Sequence, residues 1–118
     1  MSDGVAVDLY GRPTLAELVE AARDFLADDV MAATDGRVQF HARVAVRVLD
    51  TVLRELALAP RHMAEQGARL AALGYPDAWA LVAAIRAGRH DDDLDGLAAA
   101  LEPEVRAKLE VTDPRYLA

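Results

Sequence analysis

The sequence predicts an all-α fold, a compact bundle of four to five helices built around a long central helix. Apolar residues recur at steps of three and four along most of the chain. Alanine and leucine, which favour helix, are abundant, and no sustained strand-like alternation follows the first 12 residues. With 118 residues and 53% hydrophobic composition, the chain has the size and character of one globular domain. We therefore expect a flexible N-terminal arm at residues 1–12 and a single helical domain at residues 13–118.

The first helix is predicted to begin after Pro13. Thr14 and Glu17 have the spacing of a capping box, in which each side chain bonds to the backbone N–H of the other residue. One face of the helix is apolar and comprises Leu15, Leu18, Val19, Ala22, Phe25, Leu26, Val30 and Ala33. Gly36 follows Thr34 and Asp35, and it can take the positive φ that ends such a helix. So short a break predicts an antiparallel return of the next helix.

The central helix is predicted between Gly36 and Pro60. Its apolar positions cover an arc of roughly 200°, about twice what a simple surface helix needs. The surplus indicates either the centre of a bundle or a helix whose outer flank meets a partner. Pro60 is expected to end this helix and to open a third one that runs to about Gly74. The first two helices are predicted to bury Leu18, Ala22 and Phe25 against Ala45, Val48 and Val52.

Two further helices are predicted in the second half of the chain. Asp77 follows Tyr75-Pro76 and can cap a helix that ends at Gly88. Residues 91–93 are three aspartates at the start of the last helix, where unpaired N–H groups favour acidic side chains. Pro103 either kinks this helix or splits it in two. The tail then breaks at residues 112–114.

Charge and composition exclude several classes of function. The net charge is −7, and arginine and lysine are spread along the chain, so nucleic acid is not expected as a partner. Charged residues interrupt every apolar stretch well short of the roughly 20 residues that cross a bilayer. The N-terminus lacks the basic start and apolar stretch of a signal peptide, and cysteine is absent. We expect a cytoplasmic protein that does not bind a membrane.

The chain has few residues that could act as catalytic groups. Ser2 is the only serine, and there is no cysteine nucleophile or glycine-rich phosphate loop. The sequence therefore predicts a chain that is not an enzyme by itself and holds no cofactor or metal. His41 lies on the apolar side of the central helix, where it is either a core residue or a functional base. His90 beside the three aspartates of residues 91–93 marks either helix capping or a loose surface cation site.

Arginines and one tryptophan leave further alternatives open. Arg37, Arg43, Arg47 and Arg54 share the central helix, with Asp50 spaced to pair with Arg47 and Arg54. These guanidiniums form a solvated face, or they meet the carboxylates of a partner or an anionic ligand such as a coenzyme A phosphate. Trp79 is either a core residue or an anchor in an interface.

Two segments resemble a known family. They are GRVQFHARVA at residues 36–45 and KLEVTDPRYLA at residues 108–118, and the stretch from Arg12 to Leu26 resembles the opening pattern of the same family. The family is a small all-helical bacterial one long labelled as a domain of unknown function. Its members are encoded beside aminoglycoside-phosphotransferase-like kinases and acyl-CoA dehydrogenases, and similar proteins act as the small partner of a kinase that phosphorylates 4-hydroxyacyl-CoA.

The resemblance implies a function and a binding surface. It implies a non-catalytic accessory subunit whose partner kinase supplies the ATP and Mg²⁺ chemistry of hydroxy-acid catabolism. The residues that it places in the partner-binding surface are Arg37, Phe40, His41, Arg43, Asp113, Arg115 and Tyr116. Family members often have asparagine in place of Asp113, and both residues suit the turn there. The alternative is a stand-alone helical protein that binds an acyl ligand or forms a homo-oligomer.

Overall fold

The computed structural model describes residues 9–118, and every regular element in that range is helical. Helix α1 consists of Leu15–Asp24, a π-helical turn at Phe25–Val30 and a last α-helical turn at Met31–Ala33. Helix α2 spans Gly36–Leu73, α3 spans Ala78–Arg86 and α4 spans Leu94–Thr112, with short 3₁₀ turns at Asp91–Asp93 and Pro114–Leu117. The all-α prediction and the long central helix are confirmed. Residues 1–8 of the predicted arm lie outside the described residues.

The chain divides into two compact units. The first unit ends at Leu56, and the second unit comprises Ala57–Ala118. Helix α2 contributes its first 21 residues, 36–56, to the first unit and the remainder to the second.

The start of α1 is held by the predicted capping box. Thr14 Oγ1 accepts from the Glu17 N–H at 3.2 Å, and Glu17 Oε1 accepts from the Thr14 N–H at 2.8 Å. Arg12 adds an ion pair to the same carboxylate. These contacts satisfy two of the N–H groups that a helix start leaves without intrahelical partners.

The connection between α1 and α2 is a tight, hydrogen-bonded break. Gly36 has φ +58°, as predicted for the glycine at this position. The Thr34 hydroxyl donates to the Val30 carbonyl at 2.6 Å, and Gln39 Nε2 donates to the carbonyls of Met31 and Thr34, both at 3.0 Å. These bonds stabilise the break and orient the first turns of α2.

Helices α1 and α2 of the first unit run antiparallel. Gln39 lies beside Met31 next to the break, and Arg23, further back on α1, pairs with Asp50, further along α2. The predicted burial of Phe25 is wrong, because this side chain is 57% exposed, and Leu18 and Val48 are 55% and 56% exposed. The helices face each other instead through neighbouring positions, which include the buried Ala42.

The predicted end of the central helix at Pro60 is also wrong. Helix α2 continues through Pro60 to Leu73. A proline inside a helix has no N–H to donate, so the carbonyl of Leu56 loses its usual hydrogen bond. The division between the two units falls at the same place, directly after Leu56.

The second unit is built from the last part of α2 with α3 and α4. Helix α4 runs antiparallel to α2, since Glu104 bonds to Gln66 and Arg69 while Glu110, further along α4, bonds to Arg61 earlier on α2. The buried side chains of this unit are Leu70, Leu81, Ala84 and Val111.

The helix starts of the second unit are capped by aspartates. Asp77 accepts from the Ala80 N–H at 2.8 Å, which confirms the predicted cap, and Asp93 accepts from the Gly96 N–H at 3.0 Å. Pro103 lies inside a continuous α4, so of the two expected alternatives, a kink or a split, the split does not occur.

Candidate protein-binding surface

The first predicted segment, which we call the helix-start segment, comprises Arg37, Phe40, His41 and Arg43. It occupies the first two turns of α2 in the first unit. All four side chains are exposed, and Phe40 is 55% exposed. The ring of Phe40 meets that of His41 edge to face, with 5.6 Å between centroids. Because His41 is exposed, its interpretation as a core residue is wrong.

These four residues do not share one face of the helix. At 100° of rotation per residue, the side chain of Arg43 points about 160° away from that of His41 and about 120° away from that of Arg37. Ala42, which lies between His41 and Arg43, is buried at 5% exposure. A single flat partner therefore cannot contact the whole segment. It contacts either the side of Arg37 and His41 or the side of Arg43.

The second predicted segment, which we call the tail segment, comprises Asp113, Arg115 and Tyr116. It lies in the second unit, where Asp113 ends α4 and precedes the 3₁₀ turn. The Asp113 N–H donates to the Leu109 carbonyl at 2.9 Å, and the Asp113 carbonyl accepts from the Tyr116 N–H at 3.0 Å. The backbone of the tail is thus fixed while Tyr116 remains 75% exposed.

The arginines of both segments are unpaired in the part of the chain that the structure describes. Arg37, Arg43 and Arg115 make neither an ion pair nor a side-chain hydrogen bond with another described residue. Asp50, in contrast, pairs with Arg23 and not with the predicted Arg47. Arginines and exposed aromatic side chains are groups that protein interfaces favour.

Trp79 is an exposed residue that the predicted surface omits. It lies in the first turn of α3 and is 80% exposed, so its interpretation as a core residue is wrong. The helical periodicity of the sequence already separates Trp79 from Leu81, since a rotation of 100° per residue places them about 160° apart. Leu81 is the buried one of the two. A tryptophan on the exposed side of a helix indicates a contact surface.

Two carboxylates of α4, Glu104 and Glu110, bond to polar side chains of α2 in the second unit. Glu110 shares a hydrogen bond with His62 at 3.1 Å and accepts from Arg61 at 3.0 Å. The bond with His62 contributes most to lowering the pKa of Glu110, and Arg61 adds to it. Burial raises the pKa of Glu104, but hydrogen bonds from Arg69 and Gln66 outweigh that effect and lower it overall. Both carboxylates stabilise the α2 and α4 pairing in their ionised form.

His90 has a structural partner. Its Nε2 lies 2.7 Å from the hydroxyl of Tyr75, which joins the turn before α3 to the turn after it. Asp93, the last of the three aspartates, caps α4. Within residues 9–118, no three histidine, aspartate or glutamate side chains come close enough together to hold a metal ion.

Comparisons with known proteins identify one family. The sequence profile of DUF6285, a domain of unknown function, matches residues 32–116. This range contains the helix-start segment and the tail segment, and it excludes the resemblance from Arg12 to Leu26. No curated protein and no solved structure is significantly similar to the chain.

Among the described helices, none combines the length and the apolar character required to cross a membrane.

Proposed function

Because the chain belongs to the family of unknown function DUF6285, we propose that it serves as a non-catalytic subunit that binds another protein. The proposed partner is an aminoglycoside-phosphotransferase-like kinase that acts on hydroxyacyl-CoA in the cytoplasm. The kinase holds ATP and Mg²⁺ and carries out phosphoryl transfer, and the present chain raises its activity by binding to it.

The observation that carries this proposal is the exposure of three aromatic side chains on ordered backbone. Phe40, Trp79 and Tyr116 are 55%, 80% and 75% exposed. Aromatic residues contribute large contact areas with little loss of side-chain entropy, and they are enriched at the centres of interfaces. Hydration of this much aromatic surface is unfavourable, so a protein partner that covers it gains free energy.

Unpaired arginines support the same proposal. Arg37, Arg43 and Arg115 carry positive charge on a chain whose net charge is −7. Each guanidinium can bond in a fork to a carboxylate of the partner or to a phosphate of its acyl-CoA substrate. The alternative is a stand-alone helical protein that binds an acyl ligand or forms a homo-oligomer. Binding an acyl ligand between helices requires a cavity on the order of several hundred Å³ and does not use these arginines.

The proposal is tested by reconstitution with an aminoglycoside-phosphotransferase-like kinase from the same organism. The chain, the kinase and their mixture are each incubated with ATP and 4-hydroxyacyl-CoA, and phosphorylated product is measured by mass spectrometry. We expect product from the mixture at a higher rate than from the kinase, and none from the chain. Product formed by the chain in isolation would overturn the accessory role, and so would a kinase that neither binds the chain nor responds to it.

Variants then locate the surface. Arg43→Glu, or removal of residues 113–118, should weaken kinase binding by about 1 to 2 kcal/mol in calorimetry if these residues lie at the centre of the interface. Arg106→Glu is the matched control, since this exposed arginine of α4 pairs only with Glu102, one turn before it, among the described residues. Circular dichroism verifies that each variant is folded. Unchanged affinity in folded variants would remove these residues from the interface.

A further inference from the structure

The first unit exposes an apolar face along both of its helices. On α1, Leu15, Leu18 and Phe25 are 62%, 55% and 57% exposed. On α2, Val44, Val48 and Val52 are 42%, 56% and 38% exposed. The spacing of three, four or seven residues within each set places its members on one stripe of their helix.

The two stripes lie on the same side of the helical hairpin. The less exposed positions, such as Leu26 on α1 and Ala42 on α2, mark where the helices face each other. The centre of each exposed stripe is displaced from that contact line in the same sense along the chain, by roughly 70° on α1 and roughly 120° on α2. Because antiparallel helices turn in opposite senses when seen from one end, displacements in the same sense along the chain bring both stripes to one side. The Arg23 and Asp50 ion pair lies on the other side.

Opposite charges mark the two ends of the α2 stripe. Arg37 lies about two helical turns before Val44, and Glu55 lies one turn after Val52, on the same side of the helix. Neither Arg37 nor Glu55 forms an ion pair with a described residue, and both are exposed. The stripe therefore has a positive end, an apolar middle and a negative end.

We infer that this face binds a second copy of the chain, with α2 packed antiparallel on α2 of the second copy. A twofold axis near residue 46 places Arg37 of each copy against Glu55 of the other and brings the valines together between them. A parallel arrangement would bring like charges together at both ends. The antiparallel one gives a four-helix arrangement in which every neighbouring pair of helices is antiparallel, a packing that helical hairpins commonly adopt.

The available area is adequate for such a dimer. Large apolar side chains offer about 150 to 250 Å² when aromatic and somewhat less when aliphatic, so six half-exposed ones present on the order of 600 Å² per copy. Two such faces bury roughly 1,200 Å² in total, which is the lower bound for stable interfaces. The dimer uses only residues of this chain, so its formation does not require the proposed kinase. Because it occupies Arg37, it leaves the side of α2 that carries Arg43 for the kinase.

Sedimentation velocity of the purified chain across a range of concentrations tests the inference. We expect a dimer that becomes a monomer in Val48→Glu, which places a charge at the centre of the face. Val105→Glu is the matched control, because Val105 is a similarly exposed valine, at 58%, on α4 of the other unit. A monomeric wild-type chain would overturn the inference, and so would a dimer that tolerates Val48→Glu or one that Val105→Glu dissociates.

A charge exchange tests the antiparallel register in variants that leave the apolar face intact. Arg37→Glu and Glu55→Arg should each raise the dimer dissociation constant about tenfold, because each removes two symmetry-related ion pairs. The double variant restores both pairs with reversed polarity and should recover most of the wild-type affinity. Failure of the double variant to recover while circular dichroism shows native helix content would overturn the antiparallel pairing.

Discussion

Arg23 on α1 donates from Nε to Oδ1 of Asp50 on α2 over 2.8 Å, across 27 residues of sequence. The hydrogen bond that Arg23 donates to Asp50 is also the largest cause of the raised pKa of Arg23. The contact sets how far α1 extends along α2, since a shift by one turn would separate the two groups by about 5 Å.

A double-mutant cycle with Arg23→Gln and Asp50→Asn should show favourable coupling between these residues. Each single variant leaves one partner without its opposite charge, and the double variant leaves neither, so the losses should not be additive. Urea unfolding at low and high salt measures the coupling, which should shrink as salt screens the pair. Strictly additive losses would show that the ion pair does not form in solution.

The carboxyl group of Glu17 should titrate well below the ordinary range. The hydrogen bond from Arg12, followed by that from the Thr14 N–H, lowers the pKa of Glu17 from 4.5 to about 2. Because the folded-state pKa is the lower one, the stabilisation is fully present above pH 4.5 and is lost as the pH falls towards 2. NMR titration measures the value directly.

Two variants test whether Arg12 causes the lowered pKa of Glu17. Arg12→Gln should raise the pKa of Glu17, because it removes the largest cause of the shift. Glu20→Gln, one turn further along α1, is the control and should leave the Glu17 titration unchanged. A wild-type Glu17 that titrates at its ordinary value would contradict the capping box together with its ion pair.

Pro60→Ala should stabilise the protein. An interior helical proline costs about 3 kcal/mol relative to alanine, and the Pro60 side chain is exposed, so little packing is lost. We expect the free energy of unfolding to rise by about 1 to 3 kcal/mol in urea denaturation. Pro114→Ala is the control, since Pro114 occupies the first position of a 3₁₀ turn, where proline is well tolerated. Destabilisation by Pro60→Ala would favour a helix that starts at Pro60.

Glu104→Gln should destabilise the second unit more than Glu102→Gln. Glu104 accepts from Gln66 and from Arg69, both 35 or more residues earlier in the chain, whereas Glu102 pairs within α4 with Arg106. We expect a loss of about 0.5 to 1 kcal/mol for Glu104→Gln, discounted because this side chain is 39% exposed, and a smaller loss for Glu102→Gln. Equal effects in thermal unfolding would show that the α2 and α4 contacts are not formed.

Much of the helix-start and tail segments could be predicted from local sequence. Phe40 and Tyr116 stand in segments that the resemblance singles out, and both are exposed on ordered backbone. Periodicity places His41 and Arg43 on different sides of α2, but it does not show which side is covered. Trp79 was open to the same periodicity argument, yet composition favoured the core for a tryptophan among aliphatic residues.

The sequence by itself determined the helical class, the capping box at Thr14 and Glu17, and the break at Gly36, because these features depend on interactions within one or two turns of chain. Only the tertiary structure decided that α2 passes through Pro60, since the local cost of an interior proline is small enough for packing on both sides to outweigh it. It also decided that Arg23 forms an ion pair with Asp50 and that Phe25 remains exposed. An apolar arc wider than one contact permits several ways of packing a helix, and contacts between residues far apart in sequence select among them.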